Sequence, residues 1–117
     1  MNDESLCVVQ IETFMALSNV KDIAATPGVD VLFVGPGDLS AALGCPGQLG
    51  SEVYLEALDH VVAAARGARV AAGILVGDVD DVEGHLDRGF SFVAVASDSA
   101  LLRRATTTAA RGTSRRN

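Results

Sequence analysis

Val31-Leu32-Phe33-Val34-Gly35-Pro36-Gly37-Asp38-Leu39-Ser40 is a short apolar run that breaks into a glycine-flanked proline and then an acid. Four apolar residues rich in Val and Phe, bounded by turn formers, read as a buried strand. Upstream, Val8-Val9-Gln10-Ile11 has the same character and also ends on a carboxylate, Glu12. Two buried-type strands that each deliver one acid at the C-terminal end are how an α/β protein builds a divalent-metal site. Without that pair the chain would read only as a piece of an α/β domain.

Working outward, the chain divides into four βα units. A strand over Leu6–Ile11 is followed by a short helix around Asn19–Ala25, and Val31–Val34 is the second strand. A Gly/Pro-rich loop, Gly44–Gly50, leads into a longer helix over Ser51–Gly67. There Val53, Leu55, Leu58, Val61, Val62 and Ala65 recur at helical spacing, Ser51 suits the N-cap and Gly67 a C-terminal stop. Val70–Leu75 is the third strand, Asp78–Arg88 the third helix with Gly89 as its stop, and Phe92–Ala96 the fourth strand. Asp98 is placed to cap a last helix to Ala110, so residues 1–110 form the domain and 111–117 a frayed polar tail.

Strict alternation of strand and helix predicts an α/β fold whose sheet is parallel with right-handed crossovers. Four units do not close a (β/α)₈ barrel, which needs eight and about 250 residues. Alone, they leave two open edges and an apolar concave face. The chain therefore reads as half of a larger structure: a homo-oligomer, a partner for the missing half, or a truncated reading frame.

Its 117 residues hold at most one ordinary domain, and the net charge of −6 argues against nucleic acid as a partner. Arg103, Arg104, Arg111, Arg115 and Arg116 crowd the C-terminus as a helix-end bias plus a solvated tail. Cys7 reads as a small core residue, and Cys45 lies in the Gly/Pro loop. Two scattered thiols without a signal peptide fit a reducing cytoplasm. No apolar run approaches the roughly 20 residues that span a bilayer, so no membrane is expected as a partner.

Strand side chains alternate faces, which puts Val8, Gln10 and Glu12 together and Val9 and Ile11 opposite. In a barrel Gln10 and Glu12 point inward at the end where barrel chemistry sits. Adjacent strands lie about 4.8 Å apart, close enough for Glu12 and Asp38 to share an ion. Two hard oxygen ligands with no His or Cys nearby favour Mg²⁺ or Mn²⁺ over structural zinc. Gln10 is placed to hold a metal-bound water. Gly35 and Gly37 let a ligand approach the backbone, and the N–H groups of Gly37 and Asp38 suit a small carboxylate, more so if Leu39-Ser40-Ala41 begins a helical turn. By spacing alone, Glu12 and Asp38 read equally well as ordinary loop acids. Asp30 precedes a strand, His60 and His85 read as solvated helix residues, and Tyr54 reads as packing.

Val9-Gln10-Ile11-Glu12-Thr13, Pro27-Gly28-Val29-Asp30, Phe33-Val34-Gly35-Pro36-Gly37-Asp38-Leu39-Ser40, Gly73-Ile74-Leu75 and Phe92-Val93-Ala94-Val95 resemble the HpcH/HpaI aldolase (citrate lyase-like) family. That family includes the 2-keto-3-deoxy-sugar-acid and 4-hydroxy-2-oxo-heptanedioate aldolases. The likeness runs in order from about Asn2 to about Ala110, with Gly37 where the family usually has Ala or another small residue. It implies the C-terminal half of a (β/α)₈ TIM barrel and class II aldol chemistry on pyruvate, or another 2-keto acid, with an aldehyde. The divalent metal would be Mg²⁺ or Mn²⁺, with Co²⁺ a third candidate, acting as a Lewis acid. The metal carboxylates map onto Glu12 and Asp38. The keto-acid carboxylate amides map onto Gly37 and Asp38, and a pyruvate-lining Leu maps onto Leu75. The family's catalytic His and enolate-stabilising Arg come from the N-terminal half, and no residue here matches either. The resemblance also implies that Asp98–Ala110 packs on a neighbouring subunit. Two alternatives are a related acyl-CoA lyase and a non-catalytic half-barrel remnant.

Overall fold

The computed structural model describes residues 6–96. The expected last helix, Asp98–Ala110, and the polar tail lie outside them. Four strands, β1 (Val8–Ile11), β2 (Val31–Val34), β3 (Ala71–Val76) and β4 (Phe92–Val95), form one sheet in sequential order. All three pairings are parallel. Helices α1 (Phe14–Ser18), α2 (Val20–Ala24), α3 (Pro36–Ala42), α4 (Glu52–Ala68) and α5 (Val82–Arg88) supply the crossovers. The predicted parallel α/β architecture is what the chain forms.

The two faces of the sheet differ as the alternation requires. Ile11, Leu32, Val34, Ile74 and Val93 are fully buried and pack with Tyr54, Leu58 and Val61 of α4. The opposite face carries Val8, 44% exposed, with exposed Gln10 and half-buried Phe33, Leu75 and Phe92. Along it, Gln10, Phe33, Gly73 and Phe92 form one row across the strands. The Phe33 and Phe92 rings sit 6.0 Å apart over Gly73, where a Cβ would lie 2.8 Å from Phe33 Cδ1. The glycine is there because the two rings occupy the space a side chain would need.

Several boundaries depart from the sequence expectation, each for a local reason. The first crossover is two short helices rather than one. Thr13 caps α1, its hydroxyl accepting from the Ala16 N–H at 3.0 Å, and Asn19 separates α1 from α2. The motif Pro36-Gly37-Asp38-Leu39-Ser40 is itself the start of α3, with Pro36 at its first position. Ser51 does cap α4 through the Tyr54 N–H, but the helix runs past Gly67, and Arg69 takes the left-handed turn at φ 62. Val53, expected on the buried face of α4, is 55% exposed. Asp78–Arg88 begins as a 3₁₀ turn, Val79–Asp81, before α5, and Gly89 ends α5 at φ 124. Cys7, expected in the core, is exposed because β1 starts only at Val8. Asp30 is structural: its Oδ2 accepts the Cys7 N–H at 2.8 Å and ties the starts of β1 and β2. No described helix is long and apolar enough to cross a membrane.

Candidate functional site

β1 and β2 end side by side, with Ile11 opposite Val34. One residue further, the same register sets Glu12 beside Gly35, and on the other strands Leu75 beside Ala94. This top row of the open face holds the first acid and the predicted keto-acid leucine together. Gly35 makes room for the acid: a Cβ built on it would lie 3.1 Å from Glu12 Oε1. Gln10, two residues back on the same face, steadies Glu12. With its amide nitrogen turned to meet an acceptor, it donates to Oε1 at 3.0 Å and Oε2 at 3.3 Å.

Asp38 lies in the first turn of α3, exposed, three residues beyond Gly35. A carboxylate there is favoured by the helix dipole. Ser40, fully buried, closes the turn: its hydroxyl donates to the Gly37 carbonyl at 3.1 Å and accepts the Gly47 N–H at 3.0 Å. The last residue of the motif thereby fastens α3 to the following Gly/Pro loop, a role the sequence reading did not assign. The same loop is held again where Ser51 Oγ meets the buried Cys45 Sγ at 3.4 Å.

Gly37 and Leu75 line one cavity of about 360 Å³ at the C-terminal end of the sheet. Tyr54 and His85 line it too. His85 is thus not the solvated surface residue expected from its charged neighbours. It is half-buried, its Nδ1 lies 2.8 Å from the Asp81 carbonyl, and its ring packs edge-on against Phe90. Alternation and helical spacing could not find it, because the residues that enclose it come from four separate segments. Tyr54 is packing as expected, 1% exposed, and burial pushes its phenol up to about 12, with Arg88 pulling it down and Cys45 adding to the rise. His60 is exposed on α4.

Among the described residues no three His, Cys, Asp or Glu cluster as metal ligands. An ion on this chain would rest on two carboxylates and complete its shell with water or substrate. That suits Mg²⁺, which keeps several waters and takes one or two carboxylates. The donor set that Glu12 and Asp38 offer is all oxygen, the chemistry such an ion takes.

A parallel βα array in sequential order, with a cavity at the C-terminal ends of its strands, defines the class: an α/β protein of the barrel type. The chain belongs to the HpcH/HpaI aldolase/citrate lyase family, whose model matches residues 1–105. It is 46% identical over 105 residues to a hydroxypyruvate/pyruvate aldolase of Paraburkholderia phytofirmans, covering 90% of this chain and 40% of that protein. Against a 2-dehydro-3,6-dideoxy-6-sulfogluconate aldolase of Pseudomonas putida the identity is 40%, over 86% of this chain and 40% of that protein. A solved structure of a family protein from Burkholderia cenocepacia superimposes with a TM-score of 0.77 at 38% identity, over 82% of this chain and 37% of that one. The chain thus spans about 40% of the length of these curated relatives.

Proposed function

We propose that this chain carries the divalent-metal and keto-acid site of an aldolase that makes or breaks a C–C bond between pyruvate, or another 2-keto acid, and an aldehyde. The observation that carries the reading is the Glu12 carboxylate at the end of β1, held by Gln10 over Gly35. Leu75 lies in the same row, and Asp38 stands in the first turn of α3, three residues beyond Gly35. Glu12 and Asp38 would hold Mg²⁺ or Mn²⁺, and that ion supplies Lewis acidity at the keto acid when bound. Gln10 orients the Glu12 carboxylate and remains beside the ion for a water or substrate oxygen. Gly37 and Asp38 offer backbone N–H groups to the keto-acid carboxylate, and Leu75 packs against its methyl end.

Proton transfer needs a group within hydrogen-bond reach of the reacting oxygen. Among the described residues, His60 is exposed on α4 and His85 stands on α5, its Nδ1 beside the Asp81 carbonyl. Arg88 is paired with Asp59 at 2.6 Å. None stands in the row with Glu12. General acid–base catalysis is worth about 10²–10⁴-fold, so this chain by itself is expected to bind metal and keto acid with little turnover.

Calorimetric titration of the 117-residue chain with Mn²⁺ tests the reading. One site is expected, lost in Glu12→Gln and in Asp38→Asn while the folded circular-dichroism spectrum persists. Equal affinity in the wild type and both variants would refute it.

A further inference from the structure

Ser40 is fully buried on α3, two residues after Asp38. Its hydroxyl donates to the Gly37 carbonyl at 3.1 Å and accepts the Gly47 N–H at 3.0 Å. Its own carbonyl accepts the Cys45 N–H at 2.9 Å. A serine that bonds back to the carbonyl three residues earlier is common in helices and by itself means little. Here Gly47 donates into the same oxygen from outside the helix. That second bond directs the hydroxyl proton to Gly37 and ties the arrangement to the following loop.

A peptide unit is planar and trans, so its C=O and its N–H point in opposite directions. The carbonyl that Ser40 holds belongs to the Gly37–Asp38 unit, and fixing it fixes the Asp38 N–H. Nothing else holds that unit on its N–H side. The first backbone bond of α3 runs from the Leu39 N–H to the Gly35 carbonyl at 2.8 Å, and the Asp38 N–H has no acceptor among the described residues. Gly37 adds freedom, because a Cβ there would meet nothing within 4 Å and its φ is not left-handed. Glycine is required at that position neither by space nor by conformation. N–H groups of a helix point toward its N-terminal end, and at that end Pro36 and Gly37 line the cavity.

We propose that Ser40 is a positioning residue for the keto-acid carboxylate, acting through the Gly37–Asp38 peptide. The inference rests on the keto-acid reading above, which gives the Asp38 N–H to that carboxylate. Ser40 touches neither ion nor keto acid. The ion depends on the side chains of Glu12 and Asp38, whereas the keto acid depends on how one peptide unit is turned. Loss of the hydroxyl should therefore separate the two affinities.

Calorimetry on the 117-residue chain reads both, with Mn²⁺ titrated first and pyruvate added to the Mn²⁺-saturated protein. Ser40→Ala is expected to weaken pyruvate binding about tenfold, the scale of one hydrogen bond to a charged group. Mn²⁺ affinity should change by less than about twofold. Two double variants separate positioning from general support. Gly37→Ala added to Ser40→Ala should recover pyruvate affinity about fivefold, since alanine holds helical geometry better than glycine by roughly that factor. Arg69→Gly, which relieves a left-handed residue just before β3, should raise the melting temperature of Ser40→Ala without recovering pyruvate affinity. If Ser40→Ala alone is too unstable to titrate, the two double variants carry the comparison. Wild-type pyruvate affinity in Ser40→Ala would overturn the positioning role alone. Mn²⁺ and pyruvate affinities falling together, or equal recovery in the two double variants, would show that Ser40 only stabilises the fold and would also overturn it. Failure of the Mn²⁺-loaded wild type to bind pyruvate would overturn the keto-acid reading and this inference with it.

Discussion

Gly35 is the residue that leaves the Glu12 carboxylate its space. Its backbone, at φ −98 and ψ 102, is open to any amino acid, so conformation does not demand glycine there. Space does, since a Cβ would press to 3.1 Å from the Glu12 carboxylate. Gly35→Ala is therefore expected to leave stability within about 1 kcal/mol of the wild type, the lost unfolded-state entropy working in its favour. It should nevertheless weaken Mn²⁺ binding severalfold, read by calorimetry beside a thermal melt. Tyr54 gives a second test. It is the only Tyr in a chain without Trp, so absorbance near 295 nm reports its ionisation alone. Burial raises its folded-state value from 10.0 to about 12. The folded chain then holds the proton where the unfolded chain has lost it. The contribution to stability is complete below pH 10 and disappears as the pH climbs through about 12. Phenolate absorbance should appear near pH 12 in the folded protein, and Tyr54→Phe should flatten the loss of stability between those values. Alternation does not place Asp38, which lies on α3, but the face shared by Gln10 and Glu12 was legible from sequence because period two fixes which strand residues lie together. The cavity wall that includes Tyr54 and His85 was not, since it depends on how α4, α5 and two loops meet.

The strands were read within one or two residues, because each is a short and mostly apolar run. Helix ends were harder. Gly67 looked like the terminus of α4, yet the helix continues to Ala68 and the left-handed position falls on Arg69, whose N–H bonds back to the Ala65 and Arg66 carbonyls. The next residue must turn at once into β3, and that geometry outweighed the glycine preference. A non-glycine residue pays about 1–2 kcal/mol to stand there. Arg69 is exposed and makes no side-chain hydrogen bond or ion pair among the described residues, so Arg69→Gly is expected to stabilise the chain by about 0.5–1 kcal/mol, measured by urea unfolding. α3 went unread for a different reason. Gly-Pro-Gly suggests a turn, yet the Leu39 N–H bonds back to the Gly35 carbonyl at 2.8 Å and Pro36 opens a helix. The buried Ser40 hydroxyl fastens α3, which carries Asp38, to the Gly/Pro loop.

The sheet of the described residues buries one face on its helices and leaves the other bare. Val8 is 44% exposed, Phe33, Leu75 and Phe92 are half-covered, and β1 and β4 each have an open edge. In a closed barrel that face would be filled by side chains from the remaining strands. The aromatic pair over Gly73 makes this concrete, because both rings lie on the side that no helix covers. Leu6, Phe14 and Met15 add apolar surface near β1, exposed by 65%, 63% and 73%. Parallel strands are stable when both faces are covered, and an open edge offers its backbone groups to any passing strand. The isolated 117-residue chain is therefore expected to associate, either with itself or with the part of a barrel it does not span. Sedimentation velocity over a tenfold concentration range should show species heavier than the 12.0 kDa monomer, and addition of the complementary half-barrel from a relative should shift them to one defined complex. A lone monomer that unfolds in a single cooperative transition would mean that the bare face is no liability. In that case the row of Glu12, Gly35 and Leu75 would have to work as an open surface, without the water exclusion that strengthens electrostatics inside a closed site.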